Sequence, residues 1–150
     1  VDVVSRKEFW EMLGKLKKQH ITIVVSTPYM DEASLCDRIA LIQNGKIMSV
    51  DTPSAILKSY PKPLFAVKAG NIVAIALTEI LLVLRADEEV ESCYAFGEYL
   101  HITLFAENCQ ESDVRRIADK YPVDGFEVVK LAPSIEDSFI RMMEEQADNK

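Results

Sequence analysis

Apolar positions along this chain fall into helical and strand rhythms that change character near residue 60. Behind the capping-box spacing Ser5-Arg6-Lys7-Glu8, the residues Phe9, Trp10, Met12, Leu13 and Leu16 share one helical stripe, and Lys15, Lys17 and Lys18 stand at the end where the helix dipole favours cations. A helix with one covered face is predicted. Ile21-Thr22-Ile23-Val24-Val25 is an almost unbroken β-branched run, the pattern of a strand buried on both faces of a mostly parallel sheet. Thr27-Pro28 then reads as a cap and start for a short helix reaching about Cys36, with Asp31-Glu32 in the first turn as dipole partners. Asn44-Gly45, between Arg38 to Gln43 and Lys46 to Asp51, predicts a hairpin because both turn residues tolerate positive φ. Thr52-Pro53 repeats the cap-and-proline start of a helix, and Tyr60-Pro61-Lys62-Pro63 stops it.

Beyond that stop the order is strand (64–68), helix (71–85), two strands (90–96 and 99–105) joined at the glycine-first turn Gly97-Glu98, helix (112–120), strand (126–131) and a terminal helix (134–146). This β-α-β-β-α-β succession is the split-βαβ, ferredoxin-like signature of an antiparallel sheet with helices on one side. Residues 1–60, the proline-rich linker 61–63 and residues 64–150 are thus the expected units, α/β in the first and α+β in the last. The run Ile72 to Leu84 is apolar nearly all round, so as a helix it is expected to be buried on two sides.

Composition removes several function classes. With 49% apolar and 27% charged residues the chain has the means to fold, and 17 basic against 24 acidic residues give −7, with no basic stripe for a nucleic-acid backbone. Cys36, Cys93 and Cys109 form neither an even set nor a C-x-x-C pair, so a disulfide framework and a thiolate metal site are not expected and the thiols read as small packing groups in a reducing compartment. The longest apolar run is broken at Thr78-Glu79, short of the roughly 20 residues a span needs. No signal-peptide pattern follows Val1, and the start reads as a cut in a longer chain.

A strand apolar on both faces, with two helices and a hairpin, does not close an α/β domain, and its residues carry a specific resemblance. Val1-Asp2-Val3-Val4-Ser5-Arg6, the strand ending Ser26-Thr27, Tyr29-Met30-Asp31-Glu32-Ala33, Cys36-Asp37-Arg38-Ile39-Ala40, Asn44-Gly45-Lys46-Ile47 and Asp51-Thr52-Pro53 resemble, in order, the last third of an ATP-binding cassette (ABC) ATPase domain, the end of a P-loop nucleotide-hydrolase core. Residues 64–150, closing on Pro133-Ser134-Ile135-Glu136-Asp137-Ser138-Phe139-Ile140, resemble the accessory domain of the drug-export type.

The resemblance implies a parent protein that uses ATP and Mg²⁺, pairs with a second ATP-binding domain, and drives a transmembrane permease from the inner, cytoplasmic face of the membrane. It implies that Asp2, Ser5 and Arg6 match the D-loop that couples two nucleotide sites, and that Pro28 and Tyr29 stand in the switch loop. The family usually carries a histidine where this chain has Pro28, which has neither a side-chain donor nor an N–H to reach a γ-phosphate. No G-x-x-x-x-G-K-S/T loop, Leu-Ser-Gly-Gly-Gln signature or magnesium-binding strand occurs in the 150 residues, so the chain alone is expected to bind no nucleotide and to be inactive.

Other residues invite plainer readings. His20 is a solvated helix end, and His101, in the alternation Tyr99, His101, Thr103, Phe105, is a half-exposed sheet residue without ligand-spaced partners. Tyr94, Phe96 and Tyr99 form an aromatic sheet face that packs on the chain's own terminal helix or receives a partner, and Glu136-Asp137 and Glu144-Glu145 read as that helix's solvated side. Two rival functions remain: a small-molecule sensor built on the β-α-β-β-α-β half, and a dimerisation module built on the apolar run 72–84. If the sheet neighbours of Ile21 to Val25 are missing, that run and Phe9, Trp10 and Leu13 are expected to be exposed, disordered or buried against another copy.

Overall fold

The computed structural model describes residues 3–68, 74–121 and 125–148. Helix α1 (Val3–Lys17) is already helical two residues ahead of Ser5, so the Ser5-Arg6-Lys7-Glu8 spacing lies inside the helix instead of capping it, and the chain turns off through His20, an exposed residue with φ of 61°. A single turn, α2 (Met30–Ala33), precedes the antiparallel hairpin β1 (Ile39–Gln43) and β2 (Lys46–Asp51). Asn44 (φ 50°) and Gly45 (φ 73°) are both left-handed, as a two-residue turn matched to the twist of its strands requires. Helix α3 (Pro53–Lys58) begins on Thr52, whose hydroxyl accepts the Ala55 N–H at 3.1 Å.

Residues 21–25 form no strand, which corrects the expectation of a buried one. A β-branched run gains strand geometry from ladder hydrogen bonds, and nothing among the described residues lies alongside to supply them. Val24 is 93% exposed, and Ile21 and Phe9 are exposed too, while Trp10 and Leu13 are half-buried.

The second part has β3 (Leu64–Lys68), α4 (Ala74–Arg85), β4 (Val90–Phe96), β5 (Tyr99–Leu104), α5 (Glu111–Ala118), β6 (Glu127–Leu131) and α6 (Ile135–Asp148). The start of the predicted 71–85 helix lies outside the described residues. The four strands make one antiparallel sheet in the order β4-β5-β3-β6. Register assigns the faces, because residues directly opposite one another point the same way. Cys93 opposite Ile102 and Ile102 opposite Phe65 give one face, which α4 (Ile80, Leu84) and α5 (Val114, Ile117) cover to make the main core. Tyr94 opposite His101 and His101 opposite Ala66 give the other, which meets α6. Helix α4 covers the sheet with one side only: Leu82 is 60% exposed and Val83 is exposed as well, so the expected two-sided burial does not occur. Among the described residues no helix is long and apolar enough to cross a membrane.

Helix α6 joins the two parts. Ile135, Phe139 and Met142, spaced i, i+4, i+7, pack with Ile39, Leu41 and Ile56 of β1 and α3 in a second, smaller core that also takes in Met30 and Cys36. Asp137, Arg141 and Glu144 repeat the spacing two residues on and bond to the sheet: Asp137 to Tyr94 and His101, Arg141 to Glu91, and Glu144 to Ser92 at 2.8 Å. His101 and Asp137 are therefore buried, not the half-exposed and solvated residues the alternation suggested, since strand alternation cannot see a helix arriving from the end of the chain. Cys93 and Cys109 lie in the main core, where burial pushes the Cys93 thiol up to about 12.

Candidate functional site

The residues singled out near the chain's start converge on one cluster. Arg6, on the first turns of α1, reaches 26 residues ahead, and its Nε donates to Glu32 at 2.9 Å while a terminal nitrogen meets Asp31 at 3.3 Å. Its guanidinium also lies 4.3 Å from the centre of the Tyr29 ring, a stacking geometry that suits a planar delocalised cation. Tyr29 is extended (φ −92°, ψ 108°) and donates its N–H to the Thr27 hydroxyl at 3.1 Å; that hydroxyl donates in turn to Glu32 at 2.5 Å. The segment Thr27-Pro28-Tyr29 is thus held as a bend, because Pro28 fixes its own φ and Thr27 closes a hydrogen bond across it.

Glu32 is the hub. The Thr27 hydroxyl holds its carboxyl below the usual carboxylate range against the opposing push of burial, with Trp10 and Arg6 adding to the effect. The Trp10 indole nitrogen leans on this carboxylate without closing a hydrogen bond. Glu32 is buried and bonded across the fold, so its role is tertiary rather than that of a dipole partner of α2, a helix too short to carry much dipole. Of the expected residues, Ser5 and Pro28 are exposed, Arg6 and Tyr29 are brought together, and Asp2 lies outside the described residues. Thr27 and Glu32 are the partners that sequence reasoning missed.

Two open depressions flank the Tyr29-Met30-Asp31 stretch. One, of about 480 Å³, lies against α1 and is lined by Arg6, Trp10, Glu32 and Leu35. The other, of about 540 Å³, separates Pro28 to Asp31 from Glu136, Phe139, Ile140 and Met143 of α6. The first also carries Lys7 and Glu11, and its Arg6 is paired with Glu32 and Asp31; Asp31 and Glu136 stand at the rim of the second. The arrangement is suited to holding a loop in place.

A second polar cluster sits where α6 meets the sheet. Asp137 Oδ1 accepts from the Tyr94 hydroxyl at 2.7 Å and pairs with His101 Nδ1 at 2.6 Å, and its Oδ2 accepts from the Ser134 N–H and hydroxyl, both at 2.6 Å. Phe96 stacks on the far side of the imidazole, with centroids 4.4 Å apart. Burial pushes the Asp137 carboxyl up, yet these donors outweigh it and hold the group down at about 2. Burial, with Asp137 as acceptor, drives the Tyr94 hydroxyl far above its ordinary value. The S-x-x-D spacing Ser134 to Asp137 was the available signal for the helix cap, though not for the bonds to the sheet.

No family model matches the chain. Known proteins do resemble it. A stretch of 53 residues, 35% of this chain, is 42% identical to a probable multidrug ABC transporter ATP-binding protein of Escherichia coli, strain K12, of whose length it covers 9%. Over 144 residues, 95% of this chain, it is 26% identical to the Nod factor export ATP-binding protein I of Neorhizobium galegae, covering 38% of that protein, and to its counterpart from Rhizobium sp., strain N33, covering 43%. The chain is thus similar to proteins named as ATP-binding proteins of ABC transporters and spans less than half the length of each of these matches.

Proposed function

We propose that residues 1–60 are the closing third of an ABC ATPase domain and that residues 64–150, after the 61–63 linker, are a ferredoxin-like accessory domain that regulates it, within the ATP-binding subunit of an exporter. The observation that carries this reading is the convergence of Arg6 with Tyr29, Asp31 and Glu32, which joins the stretch resembling a D-loop to the stretch resembling a switch loop. The export-type relatives that align over 95% of the chain support taking both parts as one family. The strand order β4-β5-β3-β6, with two helices on one face, supports the ferredoxin-like reading of the second part.

In this account ATP and Mg²⁺ are held by parts of the full-length protein other than these residues, and Asp2, Ser5 and Arg6 relay between two ATP-binding domains. A transmembrane permease is the driven partner, on the cytoplasmic side. The exposed Phe9, Ile21 and Val24 are the surface that the rest of the ATPase domain covers. Pro28 makes the site on its own subunit slow, so the subunit pairs with a second, competent one. Substituting Pro28→His in the full-length protein is expected to raise ATP turnover about tenfold or more, the scale of one positioned transition-state hydrogen bond. Unchanged turnover in a folded variant counts against the degenerate-site reading.

A further inference from the structure

We infer that α6 is a strut through which the accessory sheet sets the position of the 27–31 segment, making Asp137, Arg141 and Glu144 positioning residues for a loop none of them touches. This rests on the reading of 27–31 as a switch loop for its consequence, though not for its geometry. The helix presents three adjacent stripes to three different neighbours. Ile135, Phe139 and Met142 are sealed into the smaller core with Met30. Glu136, Phe139, Ile140 and Met143 form one wall of the depression whose other wall is Pro28 to Asp31. Asp137, Arg141 and Glu144 bind the sheet through Tyr94, His101, Glu91 and Ser92.

The stripes differ in how firmly they hold. The first is an apolar seam whose separation exposes buried methyl groups, whereas the third consists of separate polar contacts that exchange with water at small net cost, Asp137 excepted. Lys62 of the linker joins Glu91 at 3.0 Å, and the Arg141 guanidinium lies 5.9 Å from the Tyr60 ring, so the polar stripe also grips the chain where the two parts meet. A rigid helix attached in this way cannot shift on the sheet without carrying Phe139, Ile140 and Met143 with it, and Met30 follows because it shares a core with Phe139. The near end of the relay has a natural reporter. Trp10, the chain's single tryptophan, is half-buried and lines the cleft between α1 and Asp31, Glu32 and Leu35.

The experiment is acrylamide quenching of Trp10 in the folded chain, comparing Arg141→Ala and Ser92→Ala with Val114→Ala, which opens the core on the far face of the sheet. Circular dichroism confirms that each variant is folded. Loosening the polar stripe is expected to raise the quenching constant about twofold as the α1 to α2 contact opens in more molecules, and Arg141→Lys to restore part of the loss. Val114→Ala leaves quenching unchanged although it destabilises the fold. Quenching that is the same in folded Arg141→Ala and wild type, or that rises equally in Val114→Ala, overturns the strut; Ser92→Ala serves if Arg141→Ala does not fold. In the full-length protein Arg141→Ala is expected to change ATP turnover about fivefold or more with ATP affinity retained. A changed Trp10 signal without that change leaves the strut in place and overturns the switch-loop reading.

Discussion

Asp137→Ala is expected to cost the fold about 3–5 kcal/mol in urea denaturation, the most damaging single substitution outside the apolar cores. The residue is 1% exposed and serves four donors at once, so its removal orphans the buried Tyr94 hydroxyl and His101 ring nitrogen and takes the acceptor from the half-buried Ser134 amide. With the carboxylate ionised, His101 Nδ1 carries the hydrogen of their bond. Asp137→Asn is a milder test, at about 1–3 kcal/mol: one amide oxygen still serves two donors, but the NH₂ then faces the other two.

The pH dependence has a definite sign. Since the folded carboxyl sits at about 2 against an ordinary 3.8, its contribution is fully present above about pH 4 and is lost as the pH falls toward 2. The loss amounts to about 2 kcal/mol. The stability gap between wild type and Asp137→Asn therefore narrows on acidification through that window. Glu89, lowered to about 2 by Arg116 and Lys120, titrates in the same range, but in both proteins, and cancels from the difference. A gap that stays constant from pH 6 to pH 2.5 contradicts the assignment.

Ile56→Ala is expected to cost about 2–5 kcal/mol, with the damage confined to the smaller core. Ile56 is almost completely buried among Ile39, Leu41 and Ile135, and only half-buried residues surround that group, so little packing remains to close the cavity. Hydrogen exchange should show protection falling across β1, β2 and α3 while β3 and β5, anchored by Phe65 and Ile102 in the larger core, keep theirs. Uniform loss over both sheets would mean that α6 fuses the two cores into one cooperative unit.

Much of this architecture was readable in the residues because it is specified locally. Asn44-Gly45 and Gly97-Glu98 dictate hairpins by the sign of φ, Thr52-Pro53 starts a helix by supplying an acceptor and a preset φ, and the alternation of β5 separates Leu100, Ile102 and Leu104 from their neighbours. What was not readable depends on meetings between distant segments. Ile21 to Val25 has every local mark of a strand and, among the described residues, no neighbour pairs with it. Asp137 bears the spacing of a cap, yet its burial follows from Tyr94 and His101 standing 43 and 36 residues away. Helix α4 appears buried all round in its composition because hydrophobicity alone does not reveal which side a sheet will take.

For the candidate site, the motifs named Arg6, Pro28 and Tyr29 but not how they are joined. Thr27 and Glu32 make that junction, and neither stands out by spacing, since a hydroxyl and a carboxylate five residues apart are common in any polar loop.

The most direct test of the account is calorimetric titration of ATP with Mg²⁺ into the full-length protein and into residues 1–150 alone. Saturable binding to the former and none to the latter is the predicted outcome. Saturable ATP binding by the 150 residues alone, or a full-length protein that ignores nucleotide and instead binds a free amino acid, would contradict it.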